Sequence, residues 1–279
     1  MVATPIGNLA DISLRALHLL QLADTIACED TRHAGALLRS YGIDRGAAQW
    51  LAVHEHNEAA SCEQVIQRLR AGQRVVLVSD AGTPAISDPG HRLVSATRAA
   101  GCEVIAIPGA SSVTAALSVA GVAPAPNSAS GFLFAGFLPT RSMEREAVIR
   151  ELAAQSRTVV LLEAPHRIED LAQSLATLGQ RRLTVARELT KQFEESATMA
   201  AASFPSWLAE RAQRCKGEFV VVLHAQEPRR DPDQELRVLH LLLQELPLKT
   251  AVKLAAEITG GARNELYAAA LTTRNRENS

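Results

Sequence analysis

Aromatic side chains are scarce in this chain, 4% of its residues, and Ala, Leu and Val carry most of a hydrophobic fraction of 47%. That balance is too apolar for a disordered chain and suits helices packed on strands better than an aromatic-rich sandwich. Cysteine is nearly as rare. Cys28, Cys62, Cys102 and Cys215 stand far apart, with no pair at metal-ligand spacing, which excludes a zinc module and a disulfide framework. Reduced, buried thiols in a soluble, cytoplasmic protein are expected. No apolar run approaches the ~18 residues a membrane helix needs, and no signal peptide is read at the start. Neither sign of charge dominates: the formal net charge is −1, so an RNA partner would need a local basic patch. Lysine is confined to Lys191, Lys216, Lys249 and Lys253, the other cations being arginine. That suits phosphate forks, but equally reflects codon usage and decides nothing. Missing, too, are Gly-x-Gly-x-x-Gly, the P-loop and a serine nucleophile elbow, so neither a dinucleotide fold nor an NTPase nor a serine hydrolase is supported.

What is present is a rhythm. Over residues 1–120 a short apolar strand, a Gly, Pro, Asp or Ser loop and an amphipathic helix recur. Thr25–Cys28, Trp50–Val53, Arg74–Ser79 and Glu103–Ile107 read as strands. Leu14–Ala23, His33–Tyr41, Cys62–Ala71, His91–Ala100 and Val113–Ala120 read as helices, with Gly42, Gly72, Gly101 and Gly121 placed for left-handed C-caps. Such alternation predicts a parallel sheet covered on both faces. The pattern demands a strand before Thr4–Leu9, yet only Met1–Ala3 stand there.

A loop over Ala123–Ser130 leads to a second α/β domain, 121–225, with strands at Phe132–Gly136, Thr158–Leu162, Leu183–Arg187 and Phe219–His224 and helices near Met143–Gln155, Ile168–Leu178 and Ser206–Arg214. A proline- and charge-rich linker, 226–234, precedes a helical module, 235–279, with helices at Leu236–Glu245, Thr250–Thr259 and Asn264–Leu271 turning at Gly260-Gly261. This suits a helix-turn-helix-like unit, or a helical cap.

Chemistry concentrates in loops that follow strands. Val78-Ser-Asp-Ala-Gly-Thr-Pro-Ala-Ile-Ser-Asp-Pro-Gly90 is long, stiff and polar at the position where open parallel sheets bind ligands. Gly82 permits close backbone approach, and Asp80 and Thr83 offer polar contacts. Ile107-Pro-Gly-Ala-Ser-Ser112 and Ala3-Thr-Pro-Ile-Gly-Asn-Leu9 are further loops of this kind, although Ser111 or Ser112 also fits as a plain helix cap. A parallel sheet would gather all three along one edge. Glu29-Asp-Thr-Arg-His33, His54-Glu-His-Asn-Glu58, Glu163-Ala-Pro-His-Arg167 and Arg187-Glu-Leu-Thr-Lys191 end other strands, as sites or as solvated charge. His54 and His56, without a third ligand in view, do not make a metal site, and none is expected.

Taken in order, Val2-Ala-Thr-Pro-Ile-Gly-Asn-Leu9, Glu29-Asp-Thr-Arg32, Ser79-Asp-Ala-Gly-Thr-Pro-Ala-Ile-Ser-Asp-Pro-Gly90, Pro108-Gly-Ala-Ser111 and Gly136-Phe-Leu-Pro139 resemble one family. It is the small-subunit rRNA cytidine 2′-O-methyltransferases of the tetrapyrrole methylase superfamily, and the likeness runs from residue 2 to about 224. The resemblance implies two α/β domains with S-adenosylmethionine between them, a C-terminal helix-turn-helix extension, a homodimer, and a cytidine in the decoding region of 16S rRNA as substrate. It assigns Pro5, Ala81, Gly82, Thr83, Ile86, Ser111, Ser112, Glu163 and Leu189 to the cofactor, with Asp80 beside them. The chain departs from the family at its start, where the family carries a few more apolar residues before Val2.

Methyl transfer requires an oxygen aligned behind the methyl carbon, and a base for a protonated 2′-hydroxyl would add about 10²–10⁴-fold. Glu29, Asp30, His54, Glu55 and Glu188 are the candidates. Glu29 or Asp30 is preferred, and positioning without a strong base is an alternative. Arg32, Arg187, Lys191 and Lys253 are the expected RNA contacts. Two rivals stand beside this reading: the same chemistry on a tetrapyrrole or diphthine-type substrate, and a non-catalytic RNA-binding assembly factor.

Overall fold

Helix α1 (Leu14–Leu22) leads into β1 (Thr25–Cys28), followed by α2 (Thr31–Ser40), β2 (Trp50–Ala52), α3 (Glu58–Arg70), β3 (Val75–Leu77), α4 (His91–Ala99) and α5 (Ser112–Val119). The structure, a computed structural model, describes residues 1–53, 58–87, 90–123, 125–126, 129–227 and 232–277. Ser13 starts α1 by accepting the Ala16 N–H at 3.0 Å, and Asp30 starts α2 by accepting the Arg32 N–H at 2.8 Å. Caps of this kind contribute about 0.5–2 kcal/mol each, and Asp30 explains why α2 begins before His33. The expected C-cap glycines Gly42, Gly72, Gly101 and Gly121 all take positive φ.

The strands run β2-β1-β3, all parallel, with Ile26 opposite both Trp50 and Val76. Every residue of β1 is buried. Ile26 and Cys28 pack with Leu20, Leu38 and Val76, while Ala27 packs on the other face with Leu51, Val65, Leu77 and Leu93. This is the expected parallel sheet with two covered faces.

The expected strand at Glu103–Ile107 does not form. Ile107 makes an isolated parallel bridge with Val2, and hydrogen bonds run from Val2 N to Leu77 O (2.9 Å) and from Ile107 N to Met1 O (2.8 Å). Met1–Ala3 is thus a stub between β3 and residue 107. Met1 N also donates to Ile105 O at 3.0 Å, so the pairing is confined to Met1–Ala3 beside residues 105 and 107, and Val104 and Ile105 line a cavity of about 430 Å³ with Val75 and Val76.

The second half contains β4 (Phe132–Phe137), α6 (Ser142–Ala154), β5 (Thr158–Glu163), α7 (Ile168–Ala176), β6 (Arg182–Arg187), β7 (Glu195–Ala200), α8 (Phe204–Ala209) and β8 (Phe219–Leu223). Its sheet has the order β4-β5-β8-β6-β7. β4 and β5 are parallel and the other pairs antiparallel. β8, apolar throughout, is fully buried at the centre. β7 escapes sequence reading because it is a half-buried edge strand of Glu, Ser, Ala, Thr and Met, with no apolar run. The helix expected at Ser206–Arg214 divides into α8 and a 3-10 turn, Ala212–Cys215.

One face of this sheet packs Leu161, Leu183 and Phe219 against Leu171, Leu175 and Phe204. The other packs Val160, Ala186, Val220 and Val222 against Val113, Ala116 and Ala120 of α5 and its C-terminal end, with Ile6 joining the cluster. Each fully buried valine contributes about 1.5–3 kcal/mol, so α5 binds the first layer firmly to the second.

A second compact unit gathers Ala125–Ala129, Ala154–Ser156 and the chain from Gln226 onward. Its helices are α9 (Pro232–Glu245), α10 (Leu248–Thr259) and α11 (Arg263–Glu277). α9 begins inside the stretch read as linker because Pro232 fits a first helical turn. Leu239, Val252, Ala255, Leu266 and Ala270 form the core of the unit, and Gly260 ends α10 at φ 74°. Among the described residues no helix is long and apolar enough to cross a membrane.

Thr184 Oγ1 lies 2.8 Å from His224 Nε2, 2.7 Å from Thr198 Oγ1 and 3.3 Å from Ala120 O, all buried or half-buried. With its one hydrogen given to the carbonyl, the hydroxyl accepts from a neutral His224 ring. Burial, aided by Arg182 and Arg181, holds His224 below its ordinary value of 6.5. The unfolded chain therefore binds the extra proton, and the contribution of neutral His224 is complete above about pH 6.5 and lost as pH falls below it. Urea midpoints measured from pH 7 to pH 5 should fall less steeply for His224→Gln than for the native chain. Equal slopes would refute this account.

Candidate functional site

Three loops leave the same edge of the first layer, and their backbones hold one another. Thr4 N donates to Gly82 O at 2.9 Å and Gly82 N donates back to Thr4 O at 3.1 Å. The Thr83 hydroxyl donates to Ala110 O at 3.0 Å, and the Thr4 hydroxyl donates to Ser79 O at 3.3 Å. Gly82 is buried with φ 77°, and a Cβ there would stand 3.2 Å from Ile6 Cγ2 and 3.6 Å from Ala110 O. Conformation and space both demand glycine.

Opposite these loops lie the ends of β5 and β6 and the start of β8. Between the two sides is a cavity of about 310 Å³, at the lower end of the ~300–1,000 Å³ range of small-ligand sites. Ile6, Ala81, Gly82, Thr83, Ile86, Ser111 and Ser112 form one wall. Leu162, Glu163, Pro165, Ala186, Leu189 and Glu218 form the other, with Phe137 at the end of β4. Ser111 occupies the N-cap position of α5 but makes no capping hydrogen bond with its side chain. Glu163 is buried, accepting the Ala164 N–H at 2.9 Å and pairing with Arg167 Nε at 3.1 Å. Burial raises its pKa above the ordinary carboxylate value, against the opposing pull of the Ala164 N–H and Arg167.

Of the residues expected at the cofactor, Ala81, Gly82, Thr83, Ile86, Ser111, Ser112, Glu163 and Leu189 line this one cavity. Pro5 and Asp80 do not; their neighbours Ile6 and Ala81 do. Asp80 Oδ1 is buried without a hydrogen-bond partner among the described residues.

Glu29 and Asp30 also stand off the cavity wall. Asp30 caps α2 and pairs with Arg32 at 2.8 Å, and that pairing lowers its pKa to about 2, so it is a poor proton acceptor. His54 and Glu55 lie outside the described residues. The expected RNA contacts are not brought together. Arg32 is exposed and paired with Asp30. Arg187 is buried, 4.0 Å from Glu195, with its guanidinium turned to Phe193 O. Lys191 Nζ donates to Glu188 at 2.8 Å and to Glu218 at 3.1 Å. Lys253, on α10 of the helical unit, faces Glu257 at 4.0 Å.

Sequence reasoning missed Ile6, Phe137, Leu162, Ala186 and Glu218, apolar or isolated residues whose placement depends on strand register. It missed strain as well. Glu188 and Thr190, on either side of Leu189, take φ of 52° and 67°, a conformation costing non-glycine residues about 1–3 kcal/mol and common at functional loops. Gly217 makes room for that turn, since a Cβ would meet Glu188 Cγ at 2.4 Å. Cys28 and Cys62 are buried and Cys102 and Cys215 half-buried. Burial pushes the Cys28 thiol up to about 12. Among the described residues no cluster of His, Cys, Asp or Glu is placed to share a metal ion.

A mixed second sheet facing a parallel first one across such a cavity is the architecture of the corrin and porphyrin methylases. Residues 1–205 match the family model described as Tetrapyrrole (Corrin/Porphyrin) Methylases, and residues 229–274 match the RsmI C-terminal HTH domain. Ribosomal RNA small subunit methyltransferase I of Escherichia coli O157:H7 is 44% identical over 275 residues, 97% of this chain and 93% of that one. The protein of the same name from Pseudomonas aeruginosa is 44% identical over 280 residues, 97% and 95% of the two chains. The chain belongs to this methyltransferase family. Among solved structures, uroporphyrin-III-C-methyltransferase from Thermus thermophilus superposes with a TM-score of 0.55 at 20% identity, over 80% of this chain and 92% of that one. Diphthine synthase does so with a TM-score of 0.59 at 16% identity, over 80% and 88%. These two likenesses concern the fold.

Gly109 tests how tightly the loops are packed. Its φ is not in the left-handed region, but a Cβ would lie 2.9 Å from Ala3 Cβ and 3.4 Å from Ala3 O. Gly109→Ala should cost about 1–3 kcal/mol by overpacking, read from the urea midpoint at constant m value. No loss would mean that the loops separate freely.

Proposed function

We propose that the protein transfers the methyl group of S-adenosylmethionine to the ribose 2′-hydroxyl of a cytidine in the decoding region of 16S rRNA. The observation that carries the reading is the glycine-floored cavity, whose walls come from both sheets and whose volume of about 310 Å³ fits one small ligand. The relatives that match nearly the whole chain are named for methylation of small-subunit rRNA.

The residues present fit the cofactor. Gly82 lines the cavity in a left-handed conformation where a Cβ would press on Ile6 of the same wall, and the Ser111 hydroxyl is not engaged in capping. Thr83 and Ser112 supply further polar groups, and Ile86 and Leu189 supply apolar ones. Glu163 stands where it can accept a hydrogen bond. S-adenosylmethionine, when bound, supplies an electrophilic methyl carbon.

The rest of the task falls to the chain: to hold a ribose oxygen in line and to keep water out. Positioning of this kind can supply about 7–11 kcal/mol. Glu29 and Asp30 stay proton acceptors only if the RNA-bound state brings them to the wall, so positioning carries the reading. Of the four expected RNA contacts, Arg32 and Lys253 are exposed and Lys191 is partly so, and these three can be offered to phosphate. The reading extends to a cytoplasmic homodimer, to the assembled small subunit as substrate, and to domains at 1–120, 121–225 and 235–279.

The purified protein, labelled S-adenosylmethionine and small subunits lacking the modification should yield 2′-O-methylcytidine in nucleoside mass spectrometry. Label on a base, or none, refutes the reading. Gly82→Val should weaken S-adenosylmethionine binding by at least roughly tenfold in calorimetry, because strain and filled space act together. Unchanged affinity would remove this loop from the site.

A further inference from the structure

Gly136-Phe-Leu-Pro139 has no role in the reading so far, yet the fold goes out of its way to place Phe137. β4 pairs with β5 as Phe134 with Val160, then as Gly136 with Leu161 and Phe137 with Leu162, leaving Ala135 as an extra residue. Gly136 takes φ 63°, as a glycine bulge requires. Its hypothetical Cβ would make only ordinary contact with the Phe134 ring, so the conformation, not the space, calls for glycine.

The bulge decides which way Phe137 points. Paired residues share a face of the sheet. Without the extra residue, alternation would put Phe137 on the face of Leu161, which is covered by α7 and α8. With it, Phe137 shares the face of Leu162, and both line the cavity. There the ring is left 53% exposed, whereas Phe219, the other aromatic residue on the cavity wall, is 2% exposed. Across the cavity Ile86 is 54% exposed. Large apolar side chains thus stand open at the mouth of a cavity sized for one small ligand.

We propose that Phe137 is the platform on which the target nucleobase stacks while its ribose is held at the cavity. This rests on the proposed methyl transfer to RNA and names the contact that recognises the substrate. Sequence-specific RNA recognition favours unstacked nucleotides, and one splayed out of the RNA stack can carry its ribose into a cavity of this kind. The base then exposes a π face, and an aromatic ring is the side chain that replaces its lost stacking neighbour.

The test measures methyl transfer to small subunits at saturating S-adenosylmethionine, with cofactor affinity from calorimetry and folding from the urea midpoint. Phe137→Leu keeps apolar volume and removes the ring. It should lower kcat/KM by roughly tenfold to a hundredfold, mainly through KM for the subunit, with the midpoint unchanged and cofactor affinity falling by far less than kcat/KM. Phe137→Tyr should restore most of the loss. The proposal is overturned if Phe137→Leu keeps native kcat/KM, if its cofactor affinity falls as far as kcat/KM, or if Phe137→Tyr is as impaired as Phe137→Leu. Failure of the native protein to methylate ribose would instead overturn the underlying reading, and that result is read before any variant is made.

Discussion

Two backbone hydrogen bonds exchanged between Thr4 and Gly82 hold the wall of the cavity, and the rest of the site depends on them. Loops rarely keep a fixed shape without such internal pairing, because each ordered residue loses about 1–2 kcal/mol of conformational entropy. Here Thr4 and Gly82 satisfy each other's peptide groups, and the Thr4 and Ser79 hydroxyls serve the carbonyls around them. Thr83 then ties this pair to the third loop at Ala110. The exchange also explains why Gly82 has no substitute: its left-handed φ aims the N–H and the carbonyl at Thr4 together.

That wall would be of little use if it could drift from the facing strand ends. Ile6, the residue after Pro5, buries its side chain in the cluster formed by α5 and the second sheet, together with Leu189. The same cluster holds Val113 and Ala116 against Val160, Val220 and Val222. A loop of the first layer, a helix of the first layer and strands of the second therefore share one apolar core inside the compact unit. Gly7 continues the close approach, since a Cβ there would meet Lys191 Cγ at 2.4 Å. The cavity is the space that this packing leaves over, not a cleft between freely moving parts.

How much of this was legible in the sequence follows from the range of the signal. β1 and β8 could be read because burial on both faces leaves a continuous apolar run. The three loops could be read because Gly, Pro, Ser and Asp after a strand mark a position, and eight of the ten expected cofactor residues line one cavity. β7 could not, since an edge strand with a polar outer face resembles a loop. Glu103–Ile107 has the composition of a strand, but its pairing is confined to Met1–Ala3, which no composition reports. Phe137 was hidden for the same reason as β7: its direction is set by one extra residue in a pairing register. Asp30 reads as a potential base from its place after β1, and only the folded chain reveals it capping a helix and paired to Arg32.

The cations carry the last step. A chain with net charge −1 must concentrate positive charge locally to meet RNA. Yet Arg32, Arg187, Lys191 and Lys253 each face a carboxylate in this structure. Exposed pairs such as Arg32 with Asp30 are worth little in water and exchange readily for a phosphate. Arg187, buried against Glu195, does not exchange so easily. Lys191 lies between, partly screened, with two carboxylates sharing one ammonium beside the strained turn at Glu188 and Thr190. On the proposed reading these four cations reach phosphate only by leaving their carboxylates, so contact at the cavity rests first on shape and apolar surface.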